Sequence, residues 1–349
     1  MSCRIVGALL ACAAAAPLHA QAGLVQGTAR GVDDSTAIAH ALVRLQALEG
    51  TEWVPRQQRI TSATGRFQFA DAAPGSYRVQ LLRIGYLPVM SAIVHLRGGD
   101  TVRVTLRAPA QVVELVAVIV RSEPTCLTAT ELASEPRVAE LWRQARTGAD
   151  TRRAFELQYT FRHILIQGIE IDRRIGGRKR WVRVDTTTSI PDSVVAREVR
   201  RQVRNQEHGY GSGGTLTLPD ENEILDDVFL TTHCVDTAIE EGSEVRGLRF
   251  RPVSRRRHGV DVRGRVWIDA VTYQVRRLEV EYLRGDDSYA ELAVDYADVI
   301  VGGKAIRLPG SGVGAMRPGG MLKGLVKQAT ATLSFTYDRI EGSQRNVEP

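Results

Sequence analysis

The chain has 349 residues, of which 43% are hydrophobic and 25% charged, so it contains enough apolar side chains for two domains with their own cores. This composition excludes a wholly disordered chain. The formal net charge is +6, but the basic residues are mostly arginines interspersed with acids. That pattern argues against a nucleic-acid-binding protein, which would gather its basic residues in one stripe.

Residues 1–22 are predicted to be an export signal. A basic start precedes an apolar run at 5–16, and Ala20 and Ala22 are the small residues of a cleavage site. The run is too short to span a bilayer as a helix, and no later segment qualifies as a transmembrane helix. We therefore expect an exported protein of a Gram-negative-type envelope, in the periplasm, at the outer membrane or in the medium. Lipidation at Cys12 is the alternative to simple cleavage.

Two cysteines remain after the predicted signal. Cys3 and Cys12 would leave with it, whereas Cys126 and Cys234 stay in the mature chain. Because an exported protein folds in an oxidising compartment, we predict a disulfide between them. A bridge across such a long loop stabilises by about 4–5 kcal/mol on the chain-entropy account. The alternative is two separate buried thiols.

A first domain is predicted at 23–108. Short candidate strands follow one another in quick succession and are separated by turn residues, which predicts a seven-stranded antiparallel β-sandwich. The candidates are residues 24–28, 41–48, 58–62, 66–69, 77–84, 90–96 and 101–106.

Two short strands joined by a tight connection are predicted within residues 61–86. Phe67 and Phe69 alternate with polar residues, which places both aromatic rings on one face of a strand. The Pro74–Gly75 pair predicts a tight turn, because proline presets its backbone angle and glycine accepts the left-handed one. A second strand with period-two apolar residues starts at Tyr77 and ends at Gly85.

This domain resembles the carboxypeptidase regulatory-like domain, a transthyretin-like β-sandwich. The resemblance depends on spaced residues, among them Gly27, Gly65, Phe67, Phe69, Pro74, Gly75, Tyr77, Gly85 and Tyr86. The family is appended to metallocarboxypeptidases and precedes the plug in many TonB-dependent outer-membrane receptors. The resemblance implies a non-catalytic folding or interaction module. The loop after Gly31 departs from the family pattern, and the apolar segment at 109–124 is similar to the linker strand of the receptors.

A second domain is predicted at 125–345 and begins with a helix at 134–147. Ser134 would cap this helix and Gly148 would end it. The helix carries one apolar stripe, which we interpret as the surface that covers a sheet. The stripe consists of Val138, Leu141, Trp142 and Ala145.

The rest of this domain alternates apolar and polar residues with period two. Such one-sided alternation predicts a large antiparallel sheet with one face covered. A phase slip between Val275 and Leu278 predicts a bulge near Arg276 and Arg277. The alternating faces are Phe155, Leu157, Tyr159 and Phe161; Val260, Val262, Val266 and Ile268; Leu278, Val280 and Tyr282; Ala290, Leu292, Val294 and Tyr296; and Ala331, Leu333, Phe335 and Tyr337.

Residues 264–279 resemble the repeating hairpin of the lipoprotein-carrier (LolA-like) curved sheet. In that family an Asp-x-x-Thr turn joins two long strands, and Asp269 and Thr272 stand at the corresponding spacing. The resemblance implies an apolar hollow that holds acyl chains or another hydrophobic ligand. A core filled by the protein's own side chains is the alternative, and any long hairpin could use the same turn.

Candidate chemical groups are few and poorly matched to known motifs. His233 precedes Asp236, and His258 precedes Asp261, at a spacing seen in zinc sites, but no third ligand accompanies either pair. His163 continues a strand face and is interpreted as a packed or sheet-edge histidine. No serine lies in a Gly-x-Ser-x-Gly elbow and no glycine-rich phosphate loop is present. We expect no metal and no cofactor.

An acidic cluster follows the glycine-rich stretch at 209–214. Its spacing matches no calcium-binding loop, so we interpret it as a solvated acidic turn, with calcium binding as the alternative. The cluster consists of Asp220, Glu221, Glu223, Asp226 and Asp227.

The sequence thus predicts an exported, non-catalytic binding or scaffolding protein, mainly β in fold. Its partner would be another envelope protein, a polysaccharide or a lipid, and not a nucleic acid. Two alternatives stay open at this point: a periplasmic carrier of a hydrophobic ligand in the C-terminal sheet, and a peptidase-associated enzyme.

Overall fold

The computed structural model describes residues 22–110, 126–189, 200–205, 208–212, 215–239, 245–254, 259–269, 272–285, 287–301, 304–316 and 326–342. The predicted signal up to residue 21 and the predicted linker strand from residue 111 onward lie outside these ranges. Eight strands form the first unit: β1 (Gly23–Gly31), β2 (Leu42–Glu49), β3 (Glu52–Ile60), β4 (Arg66–Ala72), β5 (Gly75–Leu82), β6 (Val89–Met90), β7 (Val94–Leu96) and β8 (Thr101–Ala108).

These strands form two facing sheets, which confirms the predicted sandwich. One sheet has the order β4-β1-β8, and the other has the order β3-β2-β5-β6 with β7 also paired to β5. The core between them is made of the inward residues of both sheets, such as Val25, Phe69, Leu45 and Val79, each fully buried. Period-two alternation was therefore a reliable guide to this core.

Two details of the sandwich differ from the predicted one. β8 runs parallel to β1, because the chain crosses from one sheet to the other before β8 and does not turn back in a hairpin. The predicted strand at 90–96 is divided into β6 and β7 by Ser91. The Ser91 hydroxyl accepts a hydrogen bond from the Val79 amide at 2.9 Å and donates one to the Ala92 carbonyl at 2.6 Å, which interrupts the regular ladder.

Gly27 is expected to be intolerant of any side chain. It lies in β1 between β4 and β8, where an added Cβ would overlap the Val104 carbonyl oxygen and lie 2.5 Å from the Phe67 ring. Gly27→Ala should lower the free energy of unfolding by about 1–3 kcal/mol, as overpacked core sites do. Gly75→Ala is the matched control, because its nearest neighbour would lie at 3.5 Å. Equal urea midpoints for the two variants would contradict this expectation.

The second unit is a nine-stranded antiparallel sheet with a few helices. The sheet order is β10-β9-β19-β18-β17-β16-β15-β14-β13. The helices are α1 (Ala129–Leu132), α2 (Pro136–Gln158) and α3 (Glu221–Ile224), and residues 200–205 are also helical. The strands are β9 (Tyr159–Arg173), β10 (Arg178–Ser189), the short pair β11 (Gly211–Ser212) and β12 (Thr215–Leu216), β13 (His233–Ile239), β14 (Val245–Pro252), β15 (Asp261–Asp269), β16 (Val275–Arg284), β17 (Asp287–Val301), β18 (Lys304–Met316) and β19 (Val326–Gly342).

The predicted helix at 134–147 is too short and starts too early. Helix α2 begins at Pro136, a residue suited to the first helical position, and Ser134 instead donates to the Glu131 carbonyl after α1. Gly148 lies inside the helix. A Cβ there would be 2.8 Å from the Tyr273 carbonyl oxygen, so this glycine allows α2 to approach the β15–β16 connection closely.

The extension of α2 also corrects the predicted strand at 155–161. Phe155 and Leu157 are helical, and strand β9 begins only at Tyr159. Phe155 is buried and its ring stacks on that of Tyr159, with centroids 5.7 Å apart. The strand predicted from local alternation was therefore wrong over Phe155 and Leu157, which form the last turn of the helix.

Helix α2 packs on one face of the nine-stranded sheet and also reaches the sandwich. Leu141, Trp142 and Ala145 belong to the same buried cluster as Val266 and Leu278 of the sheet. On the sandwich side, Ala154 packs against Leu42 and Leu82, and Arg44 forms an ion pair with Asp150 at 2.6 Å. Helix α2 therefore joins the two units.

The predicted bulge in β16 is confirmed. Trp267 pairs with Arg277 and Ile268 pairs with Val275, which leaves Arg276 as the extra residue. The bulge returns Val275 to the buried face and turns Arg276 toward Asp269, whose carboxylate it meets at 3.0 Å.

Candidate functional site: the open face of the second sheet

The face of the nine-stranded sheet opposite α2 carries cross-strand pairs of charged residues. Along β15 and β16, Arg265 lies 3.3 Å from Glu279, and the Nη2 of Arg263 donates to Glu281 at 2.9 Å. Each pair stands directly opposite in the strand register, where side chains of unlike charge stabilise a sheet. This open face therefore has an ordered array of charges.

A groove of about 730 Å³ opens on this face across β15 to β18. Its centre is Arg277, which bonds Glu279 at 3.0 Å on its own strand and Asp295 at 3.1 Å on β17. Three arginines and three acids balance one another in the lining. The lining residues are Trp267, Arg276, Arg277, Glu279, Asp295, Tyr296, Ala297, Asp298 and Arg307.

Trp267 forms one wall of the groove. It lies between the fully buried Val266 and Ile268, so its own side chain projects from the opposite, open face. The indole ring lies over β14, where a Cβ on Gly247 would be 2.9 Å from two ring atoms. Gly247 thus makes room for a partly exposed aromatic surface beside the charged residues.

The turn after β15 fixes one end of the groove. The amide of Thr272 donates to the Asp269 carboxylate at 2.8 Å, as the Asp-x-x-Thr spacing predicted. The same carboxylate lies 3.0 Å from Arg276 and 3.7 Å from Arg307. One aspartate therefore both shapes the turn and positions two arginines of the groove wall.

A layer of buried charges lies beneath the groove, between the sheet and α2. Arg152 of α2 is nine-tenths buried and pairs with Glu156 at 2.6 Å and with Glu221 of α3. The hydroxyl of Tyr296 donates to the same Glu221 at 2.5 Å. Arg307 lines the groove and also, with Arg152 and Glu221, a small cavity of about 20 Å³ below it.

A second cluster of buried polar residues lies next to the Arg152–Glu221 cluster, at helix α3. Asp220 caps this helix and pairs with Arg201, while Glu223 accepts from the Asn205 amide at 2.9 Å and lies 3.6 Å from Arg201. Asn205 and Glu223 are both buried.

The acidic cluster at 220–227 was therefore wrongly interpreted as a solvated turn. Glu221 and Glu223 are buried against arginines and an asparagine, and only Asp227 is strongly exposed, where it pairs with Arg146. Glu221 pairs with an arginine that lies 69 positions earlier, and spacing within the cluster cannot reveal such a partner.

Burial and pairing shift the pKa values of these carboxyl groups in opposite directions. Burial raises the pKa of Glu221 and of Glu223 above the ordinary 4.5, although the neighbouring Arg152 and Asn205 act against it. Burial also raises the pKa of Asp220, but Arg201 and Arg152 outweigh it and hold that pKa below 3.8. The pKa of Tyr296 rises well above 10, first through burial and then through the Glu221 charge.

The raised pKa of Glu223 predicts a pH dependence of stability. An acid with a raised pKa in the folded state contributes stability that is complete below its unfolded pKa and is lost as the pH rises through the folded value. Wild-type stability should therefore carry a falling contribution above about pH 4.5, and Glu223→Gln should remove it. Urea denaturation at pH 5 and pH 7.5 measures this effect. The free energy of unfolding of Glu223→Gln, relative to wild type, should be higher at pH 7.5 than at pH 5. Glu291→Gln, at an exposed site on β17, is the control. A stability difference between Glu223→Gln and wild type that does not change with pH in this direction would contradict the expectation.

The candidate pair His233 and Asp236 is not brought together. His233 and Asp236 lie three apart on β13 and so face opposite sides, where Asp236 meets Arg249 at 3.1 Å. His233 is fully buried, stacks on Phe229 at 3.9 Å between centroids and lies 3.3 Å from Asp261. His258 lies outside the described residues, within which no three His, Cys, Asp or Glu side chains gather as a metal site.

The covered face of the sheet holds packed side chains at its centre. Val262, Val266, Leu278 and Tyr282 are buried there beneath the helices. Beyond α2 the same face continues as an apolar row on β9, β10 and β19, where exposure increases toward the sheet edge. The row consists of Leu165, Ile169, Trp181, Leu333 and Phe335, of which Ile169 and Trp181 are each 46% exposed.

Cys126 and Cys234 form a disulfide, with their Cα atoms 5.2 Å apart. The neighbouring Leu127 and Val235 exchange backbone hydrogen bonds at 2.8 and 2.9 Å. The bridge therefore ties the chain before α1 to the outer side of β13.

In the first unit, the aromatic residues singled out from the sequence lie in the sandwich core. Phe67 and Phe69 are buried with ring centroids 5.8 Å apart, and Tyr77 is buried with its hydroxyl donating to the Ala73 carbonyl at 2.6 Å. The tyrosine thereby holds the turn that precedes β5.

Two turn glycines of the same motif take the left-handed conformation that their type predicts, whereas Gly75 does not and is instead the first residue of β5. Gly65 and Gly85 have φ angles of +75° and +81°, which side chains rarely adopt. Pro74 and Gly75 lie exposed at the start of β5, and Tyr86 packs on the edge of the core.

The family model of the carboxypeptidase regulatory-like domain matches residues 25–109, about a quarter of the 349-residue chain. Residues 25–109 are a regulatory-like domain. This agrees with the sandwich and with the motif residues of the regulatory-like domain described above. No family match supports the resemblance of the second sheet to lipoprotein carriers, and no curated protein matches the chain.

Several solved structures are similar to parts of this chain at low identity. An (S)-allantoin synthase is 12% identical over 26% of this chain and 41% of its own, with a TM-score of 0.22. A minor pilin of Streptococcus agalactiae is 15% identical over 30% of this chain and 48% of its own, with a TM-score of 0.21. A DUF3823 family protein of Bacteroides uniformis is 10% identical over 85% of this chain and 100% of its own, with a TM-score of 0.22. The chain spans less than half the length of the first two proteins. No helix in the described part of the chain could span a bilayer.

Sequence reasoning missed the residues that build the groove and its support. Trp267 was recognised only as part of a hairpin and Arg277 only as part of that hairpin and its bulge, and Arg152 and Arg307 were not recognised at all. A signal for Arg152 did exist, because it continues the helical spacing of Ala145 and Ala149 past Gly148.

Proposed function

We propose that this chain is an exported, non-catalytic binding protein of a Gram-negative-type envelope, and that its ligand lies in the groove on the open face of the second sheet. The groove itself is the observation that carries the proposal. It combines a partly exposed indole with prearranged donors and acceptors, the arrangement by which binding sites fix orientation.

The chemistry of the groove favours an uncharged polysaccharide chain as the ligand. Hydroxyl groups can accept from Arg276 and Arg277 and donate to Glu279, Asp295 and Asp298. The edge of Trp267 can pack against the C–H face of a sugar ring. Because three arginines balance three acids, no net charge favours an anionic or cationic ligand over a neutral one.

The regulatory-like domain would serve as a scaffold in this arrangement. It is joined to the groove through α2, which packs on both units, and through the Arg44–Asp150 ion pair. We place the protein in the periplasm or at the outer membrane, in keeping with the predicted signal and the Cys126–Cys234 disulfide.

Isothermal titration with purified envelope polysaccharide fragments tests this function. Wild-type protein should bind, and Arg277→Ala should weaken binding at least about tenfold, since it removes the central donor and disturbs two acids. Arg263→Ala is the matched control, because it removes an arginine of the same open face outside the groove lining. Equal binding by both variants, or none by wild type, would refute the proposal.

A carrier of a hydrophobic ligand is the second candidate, favoured by the apolar row of Leu165, Ile169, Trp181, Leu333 and Phe335. Native mass spectrometry of the purified protein distinguishes the two. Co-purified lipid that is lost in a Trp181→Ser variant would favour the carrier. A lipid-free protein that binds polysaccharide would favour the groove.

A further inference from the structure

The two edge strands of the nine-stranded sheet differ in whether their outer side is covered. At one edge, β13 is covered by residues next to the disulfide, because Leu127 pairs with Val235. At the other edge, β10 pairs with β9 alone among the described residues. Its 12 residues therefore present a long row of backbone groups on the outer side.

Strand β10 carries apolar side chains on both of its faces at this edge. Trp181, Val182 and Val184 are 46%, 57% and 59% exposed. On the neighbouring β9, Ile166 pairs with Val184 and adds an exposed apolar surface. Exposed, long and apolar edge strands are the ones that pair with another chain.

The charges of β10 are self-complementary about Val184. Arg183 and Asp185 flank this residue, lie on the same face and are 2.8 Å apart within the strand. In an antiparallel pair of two β10 strands with Val184 opposite Val184, each Arg183 stands opposite the other copy's Asp185. The basic start of the strand, residues 178–180, then lies toward the threonines and serine at its end.

Registers in which the two-fold axis is moved by one residue along β10 pair like charges and are therefore less stable. Centring the pair on Arg183 sets the two arginines opposite each other, and centring it on Asp185 does so for the two aspartates. Like charges directly opposite destabilise a strand pair. The register centred on Val184 keeps eleven residues of each strand paired without such a conflict.

We propose that the chain forms a symmetric dimer in which two β10 strands pair antiparallel, with Val184 on the two-fold axis. The partner is a second copy of this chain, and the two sheets become one continuous sheet. Val182 and Val184 of both copies form an apolar cluster on one face, bordered by Ile166. The Arg183 and Asp185 side chains form a charged quartet on the other face. This interface is separated from the groove by β9 and β19 and is independent of its ligand.

A charge-reversal series tested by sedimentation equilibrium on the full chain examines the proposal. Wild type should be dimeric. Arg183→Asp should raise the dimer dissociation constant at least about tenfold, because it places aspartates opposite each other twice. The double variant Arg183→Asp with Asp185→Arg should restore the dimer, which a general folding defect would not permit. Arg178→Asp, at the start of the same strand, should leave the dimer intact. A monomeric wild type, as expected if another protein or segment occupies the edge, overturns the proposal.

A cysteine scan tests the register. In a background of Cys3→Ser and Cys12→Ser, Val184→Cys should form an intermolecular disulfide on mild oxidation, since the paired Cβ atoms lie about 5 Å apart. Val182→Cys should not, because its own copy lies four residues away along the partner strand, about 13 Å. Equal crosslinking of both variants, or of neither, would overturn the proposed register.

Discussion

Replacing Cys126 and Cys234 with serine is expected to lower the free energy of unfolding by about 4–5 kcal/mol, the largest effect of any change considered for this protein. The disulfide closes a segment with a sequence separation of 108, so its loss restores much conformational freedom to the unfolded chain. It also frees the segment around Leu127, which covers the outer side of β13 through its hydrogen bonds with Val235. Urea denaturation of the double variant, monitored by tryptophan fluorescence, measures the loss.

The control for this experiment is the variant with Cys3→Ser and Cys12→Ser, which keeps the bridge. Peptide mapping without reductant should yield a linked Cys126–Cys234 peptide from the wild type and from this control. Alkylation of Cys126 and Cys234 in unreduced wild type, or a double variant as stable as the control, would contradict the expectation.

Arg152→Met should lower the free energy of unfolding by about 3–5 kcal/mol, because it leaves the carboxylates of Glu156 and Glu221 buried without their cation. Burial lowers the pKa of Arg152, but Glu156 and Glu221 outweigh it and raise that pKa well above its ordinary value, so the wild-type side chain is charged. The loss should decrease at acidic pH, since protonation of the two acids relieves the uncompensated charge.

The matched control is Arg137→Met, at an exposed position near the start of the same helix. This variant should lower the free energy of unfolding by less than about 0.5 kcal/mol, as surface substitutions do. Adding Glu221→Gln to Arg152→Met should recover part of the stability, because one stranded carboxylate is removed. Equal losses for Arg152→Met and Arg137→Met would show that the buried layer does not support the sheet.

The sandwich could be predicted from the sequence because its determinants are local. Phe67 and Phe69 alternate within one strand, and the glycines at 65 and 85 have left-handed backbones that other residues rarely adopt. The bulge at Arg276 was visible for the same reason, as a slip in a period-two pattern. Such features depend on residues within a few positions of one another.

The charged layer could not be predicted in this way. Glu221 is stabilised by Arg152 and Tyr296, which lie far from it in sequence and meet it only after α2 packs on the sheet. An acidic cluster with distant arginine partners has the same local sequence as a solvated one. The groove was hidden likewise, because its lining comes from four strands and forms only when their register is fixed.

The end of α2 shows how a local rule fails. Gly148 was expected to stop the helix, since glycine is a frequent helix terminator. Its role is instead to let the helix approach the Tyr273 carbonyl, a contact with a residue 125 positions later. The four-residue stripe of the prediction does pack on the sheet, and tertiary packing extends the helix to Gln158.

Hydrogen–deuterium exchange with and without bound polysaccharide tests the central claim most directly, because it shows where on the chain a ligand lies. We predict slower exchange in the segments that line the groove, on β15 to β18 around Trp267, Arg277 and Asp295, and little change in the regulatory-like domain. Protection confined to the regulatory-like domain or to β10, with exchange at the groove unaltered, would contradict the account.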